Sequence, residues 1–326
     1  MLIRRVIMVL ATTVAMSTSL LAAGDEPVMI GSAKRLTWDD SLFESSKGIR
    51  FEMHEPHRTG EKNLIADKPY ESWQMGGMSS LLHEEGKFRL WYGVSHGIRN
   101  GEEYAVAYAE SDDGITWTKP SLGLIEYNGS TDNNLVVAYS SVIGQVFRDP
   151  HAEADEKYKM LVAIYATKED SKSRYLTMLS SPDGIRWTEP EKNIVPEGDF
   201  ALDTQSQAYW DRDRVSYVLF TRMGPWRVVG RSESTNPFSF PAPVNVMAPA
   251  KPEQADFYQA GVTKYEEAAD AYFALVPVFF HPGDASGNPV DGNPPFTVNY
   301  AGNPITVVAP DTLDIHLFTS NDSVKW

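Results

Sequence analysis

A short motif, Ser-x-Asp-(Gly/Ser)-x-x-Trp, occurs three times and constrains the fold of this chain more than any other feature. It reads SDDGITW at 111–117, SPDGIRW at 181–187 and SNDSVKW at 320–326. Gly adopts a positive φ at little cost, so an Asp-Gly step between β-rich runs predicts a tight hairpin. The Asp side chain can accept hydrogen bonds from the backbone of its own turn, and the Trp falls on the returning strand.

Each motif closes a unit made of short β-rich runs. The runs before the first two motifs are FRLWYGV at 88–94, EYAVAYAES at 103–111, YKMLVAIYA at 158–166 and RYLTMLSS at 174–181. A weaker third unit leads to NPFSFPAP at 236–243, where Phe replaces Trp, and a fourth ends on the last motif. Self-similar four-strand units are the signature of a β-propeller. The predicted fold is therefore an all-β propeller in which the motif joins the third and fourth strands of a blade.

The hairpin motifs, together with FRDP at 147–150 and KNLIADKPYESW at 62–73, resemble the five-bladed-propeller glycoside hydrolases. That group includes β-fructosidases, arabinanases and xylosidases. The chain is most similar to secreted proteins described as glycosyl hydrolase family 32 N-terminal-like, over about residues 35 to 326. The resemblance implies five blades, whereas four are visible. Either the segment 25–70 completes the ring or the fifth blade is missing or incomplete.

Two motifs of the β-fructosidases are absent. The first blade has no Trp-x-Asn-Asp-Pro-x-Gly sequence, and a Glu-Cys pair is excluded because the chain contains no Cys. These departures argue against fructosidase activity even within the same fold. The absence of Cys also excludes disulfides and thiolate metal sites.

The first 24 residues have the pattern of a cleaved secretory signal. Arg4 and Arg5 are followed by an apolar run that ends in small residues at Ala22–Gly24. A retained membrane anchor is the alternative, but the run is short and Thr and Ser interrupt it. We therefore predict a signal peptide at 1–24, an N-terminal segment at 25–70 and the propeller at 71–326. The expected location is the periplasm or exterior of a bacterium, without membrane contact after cleavage.

The charge of the chain bears on its partners. Formal net charge is −15, and it becomes −17 after the predicted cleavage because two Arg and no acids are lost. A strongly acidic surface repels phosphate backbones, so nucleic acid is excluded as a partner. The expected partner is a carbohydrate, and we expect the chain to act as a monomer.

Four acids are the predicted catalytic groups: Glu71, Asp149, Asp203 and Asp256. Each is predicted to open the inner strand of a blade, and inner strands line the central channel of a propeller. Glycoside hydrolysis needs one protonated and one ionised carboxyl, and converging acids raise one another's pKa. The alternative is that each acid caps a strand or pairs with a neighbouring Arg.

The resemblance adds roles. It implies that Asp149 of FRDP contacts sugar hydroxyls as a transition-state stabiliser, with Glu71 and Asp203 as acid and base in either order. Arginine forks can bind hydroxyls or a carboxylate, and aromatic faces can stack on sugars. The predicted substrate-binding residues are Arg148, Arg222, Trp73, Trp226 and Tyr258.

No His spacing typical of zinc occurs, and no metal or cofactor is predicted. Calcium in the acidic loop at 283–295 is a weakly supported alternative, because the spacing there is not that of an EF-hand. Three functions remain open. The first is a secreted glycoside hydrolase-like protein, the second a non-catalytic carbohydrate-binding propeller, and the third a propeller scaffold for protein partners.

Overall fold

The computed structural model describes residues 31–38, 42–52, 54–55, 57, 59–95, 104–138, 141–165, 174–190, 193–196, 198, 200, 202–224, 227–250, 255–280, 296–300, 303–307 and 312–326. Within these ranges nearly all regular structure is β. No helix in them is long and apolar enough to cross a membrane. The predicted signal peptide at 1–24 lies outside the described residues.

Four antiparallel sheets follow one another along the chain. The first contains β1 (Gln74–Glu84), β2 (Lys87–Ser95), β3 (Tyr104–Ser111) and β4 (Leu135–Val137). The second contains β5 (Ser141–Arg148), β6 (Tyr158–Tyr165) and β7 (Arg174–Ser181). The third contains β8 (Gln207–Asp211), β9 (Ser216–Met223), β10 (Val228–Ser234) and β11 (Val244–Met247).

The fourth sheet is built differently. It contains β12 (Ala255–Phe257), β13 (Val262–Lys264), β14 (Tyr272–Phe280) and β17 (Thr312–Ser320). Both β12 and β13 pair with β14, so they are two halves of one interrupted inner strand. A separate hairpin of β15 (Phe296–Tyr300) and β16 (Asn303–Val307) lies between β14 and β17 in sequence. Two 3-10 turns, η1 (Pro69–Glu71) and η2 (Ala154–Glu156), complete the regular structure of the described residues.

The four sheets are arranged as the blades of a propeller, which confirms the predicted fold class. Their inner strands line a shared channel, with a cavity of about 300 Å³ between Ser79–Leu81, Gln145, Gln205 and residues 259–263. The Gln205 amide donates 2.8 Å hydrogen bonds to the carbonyl oxygens of Ser79 and Gly144, so it ties three blades together. In the described part of the chain there are four blades rather than the five of the group it resembles.

The blades pack through apolar faces. Trp91 and Val106 of the first blade meet Ile143 and Met160 of the second, all almost fully buried. A larger cluster joins the second, third and fourth blades. At Gly144 an added Cβ would lie 2.5 Å from the Ser206 carbonyl oxygen, so only glycine permits this close approach of two inner strands.

The N-terminal segment covers the face of the first blade that has no preceding blade. Leu64 and Tyr70 pack with Tyr92 and Val94, and the Asn63 amide donates to the Gly114 carbonyl oxygen. The described residues between 42 and 73 contain no strand. They therefore act as a cover for the first blade and do not form a fifth one.

The three motif hairpins share one hydrogen-bonding pattern, and each follows the third strand of its blade, as predicted. The Oδ1 atom of Asp113 accepts from the backbone N–H groups of Ile115 at 2.8 Å and Thr116 at 2.7 Å. Asp183 and Asp322 make the same two contacts at 2.7–2.9 Å. The next residue has a positive φ in every case: Gly114, Gly184 and Ser323.

The motif tryptophans hold neighbouring elements together. The ring of Trp187 lies 6.5 Å from that of Trp91 in the preceding blade, and Trp326 lies 6.2 Å from Phe220. Trp117 belongs to the first blade and packs instead in the cluster that contains Leu64 of the N-terminal segment. The motif is therefore structural, since both its Asp and its Trp are used in building the propeller.

The hairpin carboxylates predict a loss of stability in acid. Hydrogen bonds from the backbone of Thr116 and Ile115 lower the pKa of Asp113 to about 2. Partial burial opposes this effect at Asp183 and Asp322, but their backbone donors outweigh it and the pKa of each is also lowered. A lowered folded-state pKa contributes stability above the unfolded value of about 4, and this stability is lost as the pH falls toward 2.

We expect the melting temperature to fall between pH 4 and pH 2, measured by thermal unfolding at steps of one unit. In the triple variant Asp113→Asn, Asp183→Asn, Asp322→Asn the amide oxygens still accept the turn hydrogen bonds but do not titrate. The fall should therefore be smaller in the variant. Equal pH dependence of the two proteins would show that the hairpin carboxylates do not cause it.

Candidate functional site

The channel has two ends, and the sequence-predicted residues are divided between them. We call the end at which the inner strands begin the upper end, and the end at which they finish the lower end. Asp203 precedes β8 and Asp256 lies at the start of the fourth inner strand, so both are at the upper end. Asp149 follows β5 and is therefore at the lower end.

Asp203 pairs with Arg222 at the upper end. Asp203 lies in the turn before β8 with its side chain 51% exposed, and its Oδ1 accepts a hydrogen bond from the Arg222 guanidinium. Arg222 is near the end of β9, where that strand returns to the upper end, and its side chain is buried. A second guanidinium nitrogen of Arg222 donates to the Tyr258 carbonyl oxygen at 2.8 Å.

A second arginine–carboxylate pair lies beside the first. The Arg227 guanidinium is 3.2 Å from Asp256 Oδ2, and the Phe257 N–H donates to the Arg227 carbonyl oxygen at 3.0 Å. The partly exposed ring of Tyr258 is flanked by both arginines, with their Cζ atoms 5.5 Å and 5.4 Å from its centroid. We name the five residues the arginine–carboxylate cluster: Asp203, Arg222, Arg227, Asp256 and Tyr258.

The cluster balances two positive and two negative charges. Burial lowers the pKa of Arg222, Asp203 opposes this shift, and the nearby charge of Arg227 adds to it. Arg222 Nε is buried and has no hydrogen-bond partner in the described part of the chain. Because this nitrogen is enclosed by the protein, a buried water is its expected partner.

Polar side chains extend from the cluster into the channel. Thr204 and Gln207 follow Asp203, and each carries a buried side-chain oxygen without a hydrogen-bond partner among the described residues. Gln259 follows Tyr258 and lines the channel cavity. Buried polar atoms are normally satisfied, so ordered water is the expected partner of the Thr204 and Gln207 oxygens.

Glu71 precedes β1, as predicted, but it lies inside the first blade. Its side chain is fully buried, and its carboxylate is 2.8 Å from Lys119 Nζ. It also accepts hydrogen bonds from Tyr92 Oη at 2.8 Å and from the N–H groups of Asp67 and Lys68. These contacts match the alternative in which the acid caps the chain and forms an ion pair.

The prediction that Asp149 opens the second blade is wrong. FRDP ends the inner strand β5 and begins the turn to β6, because β5 starts already at Ser141. Asp149 is buried, and it accepts hydrogen bonds from Tyr217 Oη at 2.9 and 3.0 Å and from the His151 N–H. Its carboxylate therefore does not converge with the upper-end acids.

The Asp149–Tyr217 contact is one of three equivalent contacts between blades. At the end of each of the first three inner strands, a carboxylate accepts a hydrogen bond from a tyrosine at the start of the second strand of the next blade. The pairs are Glu84–Tyr158, Asp149–Tyr217 and Asp211–Tyr272. This repetition gives the Asp of FRDP a structural role in joining blades.

The other predicted binding residues are dispersed. Trp73 is 57% exposed and precedes β1 at the upper end, whereas Arg148 is exposed at the lower end. Trp226 and the acidic loop at 283–295 lie outside the described residues. Among the residues described, no group of three or more His, Asp or Glu could hold a metal ion.

Arg227, which completes the cluster, is not among the site residues predicted from the sequence. A signal was present, since Arg222 and Arg227 lie on either side of the turn between β9 and β10. Both ends of that turn must lie at the same end of the channel, because β9 and β10 are antiparallel neighbours. Two arginines on either side of one hairpin turn therefore predict adjacent guanidiniums.

Comparison with known proteins gives distant relatives. No protein-family model matches the chain. The uncharacterised protein Rv1502 of Mycobacterium tuberculosis is 23% identical over 206 residues, which cover 58% of this chain and 61% of that protein. The match thus spans less than two thirds of the curated relative.

Several solved structures are similar in shape. An N-acetylgalactosamine deacetylase from F. plautii has 14% identity and a TM-score of 0.45, with 76% of this chain and 72% of that chain covered. A family 117 glycoside hydrolase of Zobellia galactanivorans has 14% identity and a TM-score of 0.43, covering 78% and 73%. A β-fructofuranosidase from Schwanniomyces occidentalis has 12% identity and a TM-score of 0.48, covering 78% and 49%. At such scores the propeller assignment rests on the sheets and the channel of this chain.

Proposed function

We propose that this protein acts on glycosidic bonds of oligo- or polysaccharides, and that the arginine–carboxylate cluster is its site. The observation that carries the proposal is that Asp203 and Asp256, from two blades, meet two arginines around the partly exposed ring of Tyr258 at one end of a polar channel. Tyr258 offers a face on which a sugar can stack, and the guanidiniums offer planar hydrogen-bond donors.

The two carboxylates supply the groups that hydrolysis requires. One carboxyl must protonate the leaving oxygen, and the other must attack the sugar or activate water. Asp203 is half exposed and can meet the leaving group from solvent, whereas Asp256 is nearly buried beside Arg227. The guanidiniums hold both carboxylates in place and can bind sugar hydroxyls.

The alternative is a carbohydrate-binding propeller without catalysis, and one observation favours it. Of the four predicted acids, Glu71 and Asp149 have their carboxylates occupied by structural contacts, and Asp203 and Asp256 are each paired with an arginine. A binding site needs the aromatic face and the donors but no acid–base pair.

A screen of plant and algal polysaccharides tests the proposal. The purified chain is incubated with each polymer and scored for new reducing ends, with the double variant Asp203→Asn, Asp256→Asn as the background. Release of reducing ends by the parent chain but not by the double variant would support hydrolysis. Binding in affinity electrophoresis without release would support the alternative, and neither binding nor release across the panel would contradict both.

Export is part of the proposal, and its support is the sequence of residues 1–24. An exported protein meets polysaccharides outside the cytoplasm, which agrees with the substrate class. N-terminal sequencing of protein recovered from the periplasm or medium tests cleavage near residue 24, and an intact Met1 would contradict it.

A further inference from the structure

A large cavity lies at the lower end of the channel, away from the arginine–carboxylate cluster. Its volume is about 1010 Å³, and residues of all four blades line it. This is at the upper limit of the usual range for small-molecule pockets, and it is large enough for an oligosaccharide segment. No residue of the arginine–carboxylate cluster lines this cavity, so the cavity is a separate candidate site.

Cationic side chains outnumber acidic ones among the residues that line the cavity. Four cationic side chains line it, Arg148, Lys157, Arg212 and Lys264, against the two acids Asp149 and Glu266. Two of the four cations are paired with nearby carboxylates, so the charge open to an anion is that of the other two.

Two of these cations form no salt bridge. Lys264 is held by Asp213 at 2.5 Å and by Asp211 at 3.4 Å, and Arg212 lies 3.7 Å from both Asp213 and Glu266. Within the described residues, neither Arg148 nor Lys157 has a carboxylate within 4 Å. Lys157 Nζ lies 4.9 Å from the centroid of the Tyr158 ring, whereas Arg148 is exposed and can pair directly with a negatively charged ligand.

The cavity also carries an aromatic face suited to a sugar. Trp210 presents a partly exposed indole whose ring lies 4.2 Å from that of His151. A sugar face can stack on such an indole. Tyr209 and Gln145 also line the cavity, but the Tyr209 hydroxyl and the Gln145 side-chain oxygen are enclosed by the protein and do not face a ligand.

We propose that the lower cavity is a second binding site, for an acidic saccharide whose carboxylate or sulfate group lies between Arg148 and Lys157. The Trp210 indole supports one face of the sugar ring. This site does not depend on the proposed function, because none of its residues belongs to the arginine–carboxylate cluster.

Calorimetric titration of the full chain at low ionic strength tests the proposal. The probes are a glucuronic-acid-containing disaccharide, a disaccharide with one sulfate ester and a neutral disaccharide of the same size. At least one acidic probe should bind roughly tenfold more tightly than the neutral one, because charge-assisted hydrogen bonds are stronger than neutral ones. The two acidic arms distinguish carboxylate from sulfate. Equal affinity for all three probes, or no binding of either acidic probe, would overturn the proposal.

Variants locate the binding. The double variant Arg148→Gln, Lys157→Gln should weaken binding of the acidic probe roughly tenfold or more. Lys47→Gln with Arg50→Gln, which removes two positive charges from the exposed N-terminal segment, should leave binding unchanged. Undiminished binding in the Arg148/Lys157 variant would also overturn the proposal.

The two sites are separable by experiment. Asp203→Asn and Asp256→Asn alter the upper end and should retain binding of the acidic probe at the lower end. A loss of acidic-probe binding in these variants would place that binding in the cluster, which would contradict a second site.

Discussion

Asp203→Asn and Asp256→Asn are each expected to lower turnover of the polysaccharide found by the screen by roughly 10²–10⁴-fold. An amide keeps the shape of the carboxyl but can neither ionise nor donate a carboxyl proton. Arg222 is 3% exposed, so removing the charge of Asp203 leaves a buried cation and should also lower the melting temperature, and turnover is therefore compared per folded molecule. The measurement is the initial rate of reducing-end release, with a melting curve for each variant.

The matched control is Asp112→Asn, the same substitution at an acid that is 86% exposed on the first hairpin. It should retain full turnover. Arg222→Lys adds a test of geometry, because it keeps the charge but loses the planar fork. Full turnover in both Asp203→Asn and Asp256→Asn would exclude the cluster as a catalytic site and favour the binding alternative.

Glu71→Gln is expected to lower the free energy of unfolding by roughly 3 kcal/mol, because it breaks a buried ion pair from one side. Lys119 is 8% exposed and would retain only Asp67, which is 58% exposed, as a charged partner. The amide would also weaken the hydrogen bonds from the N–H groups of Asp67 and Lys68. Chemical denaturation of the parent and variant measures the difference.

Glu61→Gln is the control, since Glu61 is exposed in the same N-terminal segment and undergoes the same substitution. Its stability should equal that of the parent. Turnover per folded molecule should be unchanged in Glu71→Gln, because the acid lies inside the first blade. A large loss of turnover with unchanged stability would instead support the acid–base role predicted from sequence.

The hairpins could be predicted from sequence because their interactions are local. The Asp113 carboxylate bonds to backbone groups two and three residues away, and Gly114 supplies the positive φ that the turn needs. Repetition of this turn then indicates repeated blades, since one strand pairing cannot bury its apolar faces alone. The fold class followed from contacts that the chain makes with its near neighbours.

The position of FRDP could not be read in the same way. A run of β residues on each side of Asp149 leaves open whether the acid begins or ends the inner strand. The answer comes from the pairing of β5 with β6, in which Ser141 faces Ile164 and Arg148 faces Tyr158. Strand register depends on which faces are buried across the whole sheet, so a three-residue likeness does not decide it.

By itself the sequence determined the repeated Asp–Trp hairpins, the all-β class and the presence of acids near the start of several inner strands. The tertiary structure alone decided which acids meet. Asp203 and Asp256 are brought together with Arg222 and Arg227 because the third and fourth blades pack face to face, whereas Glu71 is buried beneath the N-terminal segment. The reason is physical: hydrogen bonds within a turn depend on neighbours in the chain, but a site between blades depends on how separate sheets bury their faces against one another.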